Sequence, residues 1–360
     1  MAELLKLRYN EIFVHKLALK LKKYNHNFDI NSFKNAIFNE KWDNLELKER
    51  MHHITKQIHT HLPIAYKQQI EILNQVVSFF NGLTAMIFPN FVEQYGTNDY
   101  ELSLKTLAFY TQFSTSEFAI RPFIINQPKA TINQMVLWSK NENHHVRRLA
   151  SEGCRPLLPW AMKLHELVKD PTPILPILEN LKSDDEDYVY RSVANNLNDI
   201  SKSHPELVIE LCKKWQKGGH KQTQWVIKHA LRTLLKKGDL EAMKIFGFGD
   251  VSGIKINNFK IEKTKMAIGE STYFKMEVCN ASNSAKFRLE YSIYYLKNNG
   301  KHSPKVFQLK ETTLQQNEII KLRKKITFTD FTTRKHYKGQ HYIEVKVNGI
   351  ALQKIDFELI

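Results

Sequence analysis

Apolar residues recur at helical spacing through the first two thirds of the chain, and prolines, glycines or polar clusters interrupt them at intervals. The segment 64–80 shows the pattern well. On a helix, its residues Ile70, Leu73, Val77 and Phe80 would lie along one side. Such a stripe is typical of an amphipathic helix packed on a core. No strand pattern stands out before residue 246, so we expect an array of helices there.

A short signature, valine followed two positions later by a basic residue, recurs in this helical part. It appears at Val146–Arg148, Val189–Arg191 and Val226–Lys228, with Ala119–Arg121 as an earlier, degenerate copy. A period near 40 residues is typical of HEAT and armadillo repeats, which stack into a curved solenoid. Equivalent positions then line one concave face. We therefore expect Arg121, Arg148, Arg191 and Lys228 to form a stripe that contacts phosphates, although caps or salt bridges to neighbouring repeats are the alternative.

The pattern changes after residues 247–249 to alternation rich in β-branched and aromatic residues. Asn299-Gly300 and Asn348-Gly349 have the composition of two-residue hairpin turns. About seven short strands in this part are typical of an immunoglobulin-like or fibronectin-like sandwich. The sequence thus predicts two domains. An all-α, HEAT-like helical solenoid spans residues 1–248, and an all-β, immunoglobulin-like sandwich spans residues 249–360.

Composition narrows the class of protein. No stretch approaches the roughly 20 apolar residues that a membrane-spanning helix needs, and charges interrupt the apolar residues at the start, unlike a secretory signal. The three cysteines lie far apart and form no CxxC pair, which argues against a disulfide framework and a zinc site. We expect a cytoplasmic, monomeric protein with no membrane partner.

The net charge of +16 favours an anionic partner, although a lysine-rich surface that serves solubility or reflects genomic composition is the alternative. Residues 250–360 hold 20 lysines and arginines against 11 acidic residues. The predicted sandwich therefore carries more than its share of the excess positive charge. Nucleic acid is the commonest polyanion that such a surface binds. We expect DNA-backbone contacts from Lys324, Lys325, Arg334 and Lys335. The alternative is that they are edge-strand charges that prevent aggregation.

Common catalytic motifs are missing. Glycine-rich phosphate loops, HExxH and GxSxG do not occur, and the neighbouring His144 and His145 would point about 100° apart on a helix, a poor metal geometry. These absences argue against metal hydrolases, P-loop enzymes and serine hydrolases. We expect neither a metal nor a cofactor.

Three acids and one tryptophan remain as candidates for chemistry in the repeat region: Glu117, Glu152, Asp199 and Trp160. Carboxylates on a basic, DNA-facing surface make sense where they face positive charge. Such charge exists on an N-alkylated base and on the oxocarbenium-like sugar that forms as an N-glycosidic bond breaks. A nearby indole adds a cation–π contact. From the pattern alone the simpler interpretation is structural, with the acids paired to Arg121, Arg148 and Arg191, and Trp160 in the core.

Three segments carry a family resemblance: SEFAIRPFI (116–124), VRRLASEGCRPLLPW (146–160) and DYVYRSVANNLNDISKSHPE (187–206). They resemble the AlkC branch of the AlkC/AlkD family of DNA alkylation repair glycosylases, which are built from HEAT-like repeats. The resemblance extends over residues ~1–248, and residues 250–360 are similar to the immunoglobulin-like domain of many AlkC-type members. It implies hydrolytic release of cationic N-methylated bases, 3-methyladenine and 3-methylcytosine, from double-stranded DNA, without a metal.

The resemblance also implies roles for single residues. Glu152 would lie at the lesion sugar, where it stabilises positive charge or positions water, and Glu117 would be the second carboxylate. Asp199 is a further candidate for that cluster. Trp160 would stack against the lesion nucleotide, and Arg148 and Arg191 would contact flanking phosphates. Leu157 departs from the RPRLPW pattern of many relatives, which puts one phosphate contact in doubt.

Two other classes of function remain as alternatives. One is a non-catalytic HEAT-repeat scaffold that binds DNA or a protein, against which the retained Glu117, Glu152 and Trp160 argue. The other is a protein-binding solenoid with a cell-surface sandwich, which the missing signal peptide disfavours. No sequence feature identifies a nucleobase pocket of the kind that base-flipping glycosylases use, and the family resemblance implies recognition mainly through the DNA backbone.

Overall fold

The computed structural model describes residues 4–62, 65–330 and 335–360. Helices occupy the chain up to Ile245, and strands occupy it from Ile254 onwards. The predicted order of a helical region followed by a β-sandwich is therefore confirmed. None of the helices in the described ranges is long and apolar enough to cross a membrane.

Sixteen α-helices occur in the described residues. They are α1 (Glu11–Tyr24), α2 (Ile30–Ile37), α3 (Leu47–His61), α4 (Tyr66–Val76), α5 (Ile87–Tyr95), α6 (Tyr100–Tyr110), α7 (Arg121–Asn126), α8 (Pro128–Trp138), α9 (His144–Gly153), α10 (His165–Lys169), α11 (Leu175–Leu181), α12 (Asp187–Ile200), α13 (Pro205–Gln216), α14 (Lys221–Ala230), α15 (Arg232–Lys237) and α16 (Leu240–Ile245). Short 3-10 turns lie at Leu5–Arg8, Trp42–Asn44, Val77–Phe79, Gly82–Met86 and Thr172–Ile174.

Local chemistry sets several helix boundaries. Asn10, Asp29 and Asn143 cap α1, α2 and α9, because each side-chain oxygen accepts a hydrogen bond from a free backbone N–H of the first turn. Pro128 and Pro205 stand first in α8 and α13. At that position the missing N–H of proline has no intrahelical partner to lose.

The recurring signature marks helices that stack. Its three full copies lie on α9, α12 and α14, and α12 packs against both of the others. Val146, Val189 and Val226 are all buried. The valine of the signature is therefore a core position. The basic residue two places later lies on another part of the helix surface, because successive helical residues are about 100° apart.

Eight strands occur in the described residues. They are β1 (Ile254–Ile261), β2 (Lys265–Met266), β3 (Ser271–Asn280), β4 (Ala285–Leu296), β5 (His302–Leu314), β6 (Ile319–Thr327), β7 (Gly339–Val347) and β8 (Ile350–Leu359). They form one sheet of order β1-β3-β6 and a second of order β2-β8-β7-β4-β5. All pairs are antiparallel except β2 with β8.

The two sheets enclose an apolar core, as a sandwich requires. Alternate residues of β3 are buried, so Phe274, Met276 and Val278 face inward, and residues such as Phe287 and Ile343 of the other sheet belong to the same cluster. This alternation is the reason that the strand pattern is readable in the sequence.

One predicted hairpin turn is confirmed and the other is wrong. Asn348 and Gly349 form a two-residue turn between β7 and β8, both with positive φ (48° and 77°), as a type I′ turn needs. Asn299 and Gly300 instead belong to the five-residue loop 297–301, in which only Gly300 has positive φ (74°). The Asn299 side chain accepts a hydrogen bond from the Lys301 N–H at 3.1 Å, which supports the wider loop.

The chain divides into two compact units. The first comprises residues 1–204 and 215–230, and the second comprises residues 205–214 and 231–360. Helices α15 and α16 thus group with the sandwich, although the change from helix to strand comes only after α16. All candidate catalytic residues belong to the first unit.

Candidate active site

Glu117 lies in the turn that precedes α7 and is only 9% exposed. Its Oε2 accepts hydrogen bonds from Thr115 Oγ1 at 2.5 Å and from Arg148 Nη1 at 2.5 Å. A buried carboxylate without such partners would be strongly destabilising. Arg148 on α9 therefore compensates the charge of Glu117.

Glu152 lies one turn further along α9 and is 5% exposed. Its Oε1 accepts a hydrogen bond from Arg155 Nη1 at 2.6 Å and lies 3.6 Å from Arg148 Nη2. Arg148 and Glu152 are four residues apart, a spacing that brings side chains together on a helix. The guanidinium of Arg148 thus stands between Glu117 and Glu152, so the structure brings the two predicted carboxylates to one place.

The charge state of Arg148 follows from this arrangement. Burial lowers the pKa of its guanidinium, but Glu117 and Glu152 outweigh that effect and the pKa is raised. The sequence suggested a phosphate contact for this residue. The structure instead gives it two carboxylate partners, the alternative that the sequence left open.

Asp199 lies on α12 and has both oxygens bound to cations. Oδ2 accepts from Arg155 Nε at 2.9 Å, and Oδ1 accepts from Lys202 Nζ at 2.9 Å. Arg155 consequently bridges Glu152 and Asp199. Asp199 is buried and both of its oxygens accept from cations, so it joins the cluster through Arg155.

One oxygen of each glutamate stays open. Among the described residues, no side chain or backbone group donates a hydrogen bond to Glu117 Oε1 or to Glu152 Oε2. Both glutamates line a cavity of about 400 Å³, whose lining also includes the apolar residues Leu47, Met51 and Leu83. Each carboxylate therefore has one oxygen fixed by an arginine and one that can accept from water or a ligand.

Trp160 borders the same cavity and is 75% exposed. It is not a core residue, contrary to the structural alternative. Its φ of 63° lies in the left-handed region, which bulky residues seldom adopt and which costs on the order of 1–3 kcal/mol. A large apolar side chain in an unfavourable backbone conformation, exposed beside buried carboxylates, is consistent with ligand contact.

The sequence did not single out four residues of this site, which are Lys48, Phe118, Arg155 and Tyr188. Tyr188 packs against Arg148, whose Cζ lies 4.3 Å from the ring centroid, and Lys48 Nζ lies 4.5 Å from the ring centroid of Phe118. The sequence does carry a signal, because the residue just before each copy of the signature has a planar ring side chain. These residues are Phe118, His145, Tyr188 and Trp225. In two cases the cation of one repeat packs over the ring of the next: Arg148 over Tyr188 and Arg191 over Trp225.

The predicted basic stripe holds only in part. Arg121 is fully buried and donates to backbone carbonyls, so it cannot contact a phosphate, and that assignment is wrong. Arg191 is exposed and paired with Asp187 on the same helix. Lys228 is also exposed, on α14. The degenerate copy at 119–121 begins in a turn rather than within a helix. Arg121 therefore does not occupy the position that Arg148 and Arg191 have on their helices.

In the second unit, the predicted phosphate contacts do not share one surface. Lys324 and Lys325 are neighbours on β6, and neighbouring strand residues point to opposite faces of a sheet. Lys335 is exposed, and Arg334 lies outside the described residues.

A different set of cations shares one face of the three-stranded sheet. Lys260 stands opposite Lys275, and Lys275 stands opposite Arg323, so three positive charges form one row across β1, β3 and β6. Like charges directly opposite each other destabilise a sheet. Glu262 pairs with Arg323 at 3.0 Å and offsets part of that repulsion. This basic row becomes apparent only from the strand register.

Comparisons with known proteins agree with the geometry. Residues 105–234 match a family model described as DNA alkylation repair enzyme, and residues 255–360 match the C-terminal Ig-like domain of YhaZ. The chain is 42% identical over 355 residues to the uncharacterized protein YhaZ of Bacillus subtilis (strain 168), with 99% of each chain covered.

A solved structure is similar along the whole chain. It is the alkylpurine DNA glycosylase AlkC of Pseudomonas fluorescens, bound to DNA containing an abasic site analog. The TM-score is 0.95 at 34% identity, and the match covers 99% of this chain and 100% of that one. The predicted resemblance is therefore confirmed.

Proposed function

The chain belongs to the AlkC/AlkD family of DNA alkylation repair glycosylases, and on that premise we propose that it hydrolyses the N-glycosidic bond of cationic N-methylated bases in double-stranded DNA. Its substrates are 3-methyladenine and 3-methylcytosine. The enzyme is monofunctional and leaves an abasic site. The observation that carries this proposal is the placement of Glu117 and Glu152 on either side of Arg148, each with one open oxygen at a shared cavity.

The reaction needs a stabilised sugar cation more than it needs an acid. An N-methylated base is already positively charged, so the C1′–N bond breaks with its electron pair going to the base, which leaves neutral. The sugar then carries the positive charge. Fixed carboxylates in a water-poor site stabilise developing positive charge far better than water does, because they need not reorganise. Glu117 and Glu152 are the groups that supply this stabilisation.

Water completes the reaction. Its oxygen bonds to C1′, one of its protons is lost to a carboxylate or to solvent, and the sugar becomes a hemiacetal. Glu152 Oε2 is the acceptor that holds this water, since Oε1 is already bound by Arg155. Arg155 in turn is held by Asp199. In this proposal Asp199 acts on the reaction through Arg155 rather than by touching the substrate.

Recognition of the lesion falls to Trp160 and to backbone contacts. The exposed indole beside the cavity stacks on the lesion nucleotide, where a cation over its face gains on the order of 1 kcal/mol. Arg191 and Lys228 contact phosphates of the same strand region. In the sandwich, Lys325, Lys335 and the basic row of Lys260, Lys275 and Arg323 supply positive charge that neutralises phosphates in this proposal; the shared face of the row supports its part.

Base release from defined DNA tests the proposal. Duplexes that carry a single 3-methylcytosine, or random 3-methyladenine, are incubated with the protein and then cleaved with alkali at abasic sites. We expect release of both bases and strand cleavage only after alkali. Binding of the duplex with no base release under single-turnover conditions would favour the non-catalytic scaffold instead.

A further inference from the structure

The buried guanidinium of Arg121 binds no carboxylate in the described part of the chain. Nη1 donates to the backbone oxygens of Gly153 at 3.0 Å and Arg155 at 2.9 Å, and Nε donates to that of Met162 at 2.8 Å. Burial lowers the pKa of Arg121 to about 10. A fully buried cation without a counter-ion is costly to retain, so the three carbonyls are the feature to explain.

In the sequence, these carbonyls come both before and after Trp160. The segment between α9 and α10 forms no regular helix, so its carbonyls lack the partners that a helix provides. Arg121 supplies the donors instead. One side chain thereby ties the start of the segment, at Gly153 and Arg155, to its far side at Met162.

A second cation holds the tip of the segment. Lys48 on α3 donates from Nζ to the backbone oxygen of Trp160 and packs over the ring of Phe118. The indole of Trp160 itself remains exposed. Cations from two separate helices therefore fix the backbone around a residue whose side chain is left free.

We infer that Arg121 and Lys48 are positioning residues that hold the left-handed backbone of Trp160, so that its indole is in place at the cavity before DNA binds. The inference rests on the proposed function for its catalytic consequence. Its structural part, an indole fixed in advance, stands independently. Pre-positioning matters because a misplacement of about 1 Å in a binding group can slow an enzyme roughly 100-fold.

A purely structural role for the two cations makes a different prediction. In that case Lys48→Met and Arg121→Lys would lower the free energy of unfolding, and any loss of activity would add to the loss caused by Trp160→Ala. If the cations act through Trp160, their effects disappear once the indole is gone, because coupled residues are not additive.

The catalytic test is a double-mutant cycle under single-turnover conditions. Lys48→Met and Arg121→Lys should each slow base release about tenfold in the wild-type background, and should change it less than twofold in Trp160→Ala. Lys56→Met, at an exposed position two turns further along α3, is the matched control and should keep the wild-type rate. Fully additive losses, or wild-type rates in both variants, would overturn the inference.

An activity-independent measurement separates this inference from the proposed function. The protein has five tryptophans, which 5-fluorotryptophan labels for ¹⁹F NMR, and Trp160→Phe assigns the resonance of Trp160. Lys48→Met and Arg121→Lys should broaden or shift that resonance without DNA, while Lys56→Met should leave it unchanged. An unchanged Trp160 resonance in both variants would contradict the inference even if the wild-type enzyme releases bases normally. Failure of the wild-type enzyme to release bases, with the expected NMR changes, would reject only the proposed function.

Discussion

Arg148 donates from Nη1 to Glu117 Oε2 at 2.5 Å, and this bond joins α9 to the turn before α7 across 31 positions of sequence. The same guanidinium also approaches Glu152 on its own helix. Arg148 therefore orients both carboxylates, and its charge is already neutralised within the protein. That distinguishes it from Arg191, the equivalent residue of the next repeat, which is exposed and pairs with Asp187 on its own helix.

We predict that substituting Arg148 changes the rate of base release, whereas substituting Arg191 changes DNA binding. Arg148→Lys keeps the charge but loses the planar fork that reaches two carboxylates, and so it should slow base release on the order of 10- to 100-fold. Arg191→Met should keep the single-turnover rate at saturating enzyme. It should reduce the slope of log affinity against log salt concentration by about the amount expected for one phosphate contact. Rapid-quench kinetics and binding titrations at several salt concentrations measure the two effects. A normal rate for Arg148→Lys would contradict the assignment.

Asp199→Asn tests the role of Arg155. The substitution removes the charge of a residue whose two oxygens hold Arg155 and Lys202. Arg155 then keeps only Glu152 as a charged partner, and the position of Glu152 becomes less defined. We expect base release to slow about tenfold, well short of the effect of losing a residue that contacts the substrate. A loss as severe as that of Glu152→Gln would instead show direct contact between Asp199 and the reacting sugar.

The sequence predicted the architecture well because the signals were local. Helical periodicity, strand alternation and the Asn348-Gly349 turn each depend on neighbouring residues, and all three are confirmed. Asn299-Gly300 has the same local signal. That prediction is wrong because the strands end at Leu296 and begin again at His302, and the five-residue loop between them is closed by backbone hydrogen bonds and by the Asn299 side chain, contacts that composition alone does not reveal.

The site was less predictable because its contacts are long-range. Nothing in the sequence indicates that Arg121 is buried while Arg191, at the equivalent place in a later repeat, is exposed. Likewise, the row of Lys260, Lys275 and Arg323 depends on strand register, which includes a shift between Asn257 and Lys260 in β1. Partner choice among several nearby acids and arginines required three-dimensional distances.

Thiol reactivity checks the packing of both units. Cys154 and Cys212 are buried, and burial raises the pKa of each thiol to about 12. Both thiols therefore stay protonated and shielded at neutral pH, where the thiolate is the reactive form. Cys279 is partly exposed. We expect one thiol to react with a maleimide in the folded protein and three after denaturation, with Cys279→Ser reducing the folded count to zero.

Alanine substitutions at two glycines of the sandwich distinguish the free-energy cost of a steric collision from the cost of a left-handed backbone. Gly300 and Gly349 both have positive φ, so alanine costs about 1–2 kcal/mol in backbone energy at either position. A Cβ at Gly300 meets nothing within 4 Å, whereas one at Gly349 collides with the backbone of Gly238. Urea denaturation should show a free-energy loss of about 1 kcal/mol for Gly300→Ala and roughly 3 kcal/mol or more for Gly349→Ala. Equal losses would argue against the contact between Gly238 and Gly349.

In the proposed mechanism, Glu152 supplies the electrostatic stabilisation for N-glycosidic bond cleavage. Single-turnover release of 3-methyladenine from methylated duplex DNA by Glu152→Gln, compared with the binding of this variant to an undamaged duplex, tests that role of Glu152. The amide is nearly the same size as the carboxylate but lacks its charge. We expect a decrease in rate on the order of 1000-fold with duplex affinity within twofold of wild type. A rate within tenfold of the wild-type enzyme, at equal affinity, would contradict the assignment of Glu152 as a catalytic residue.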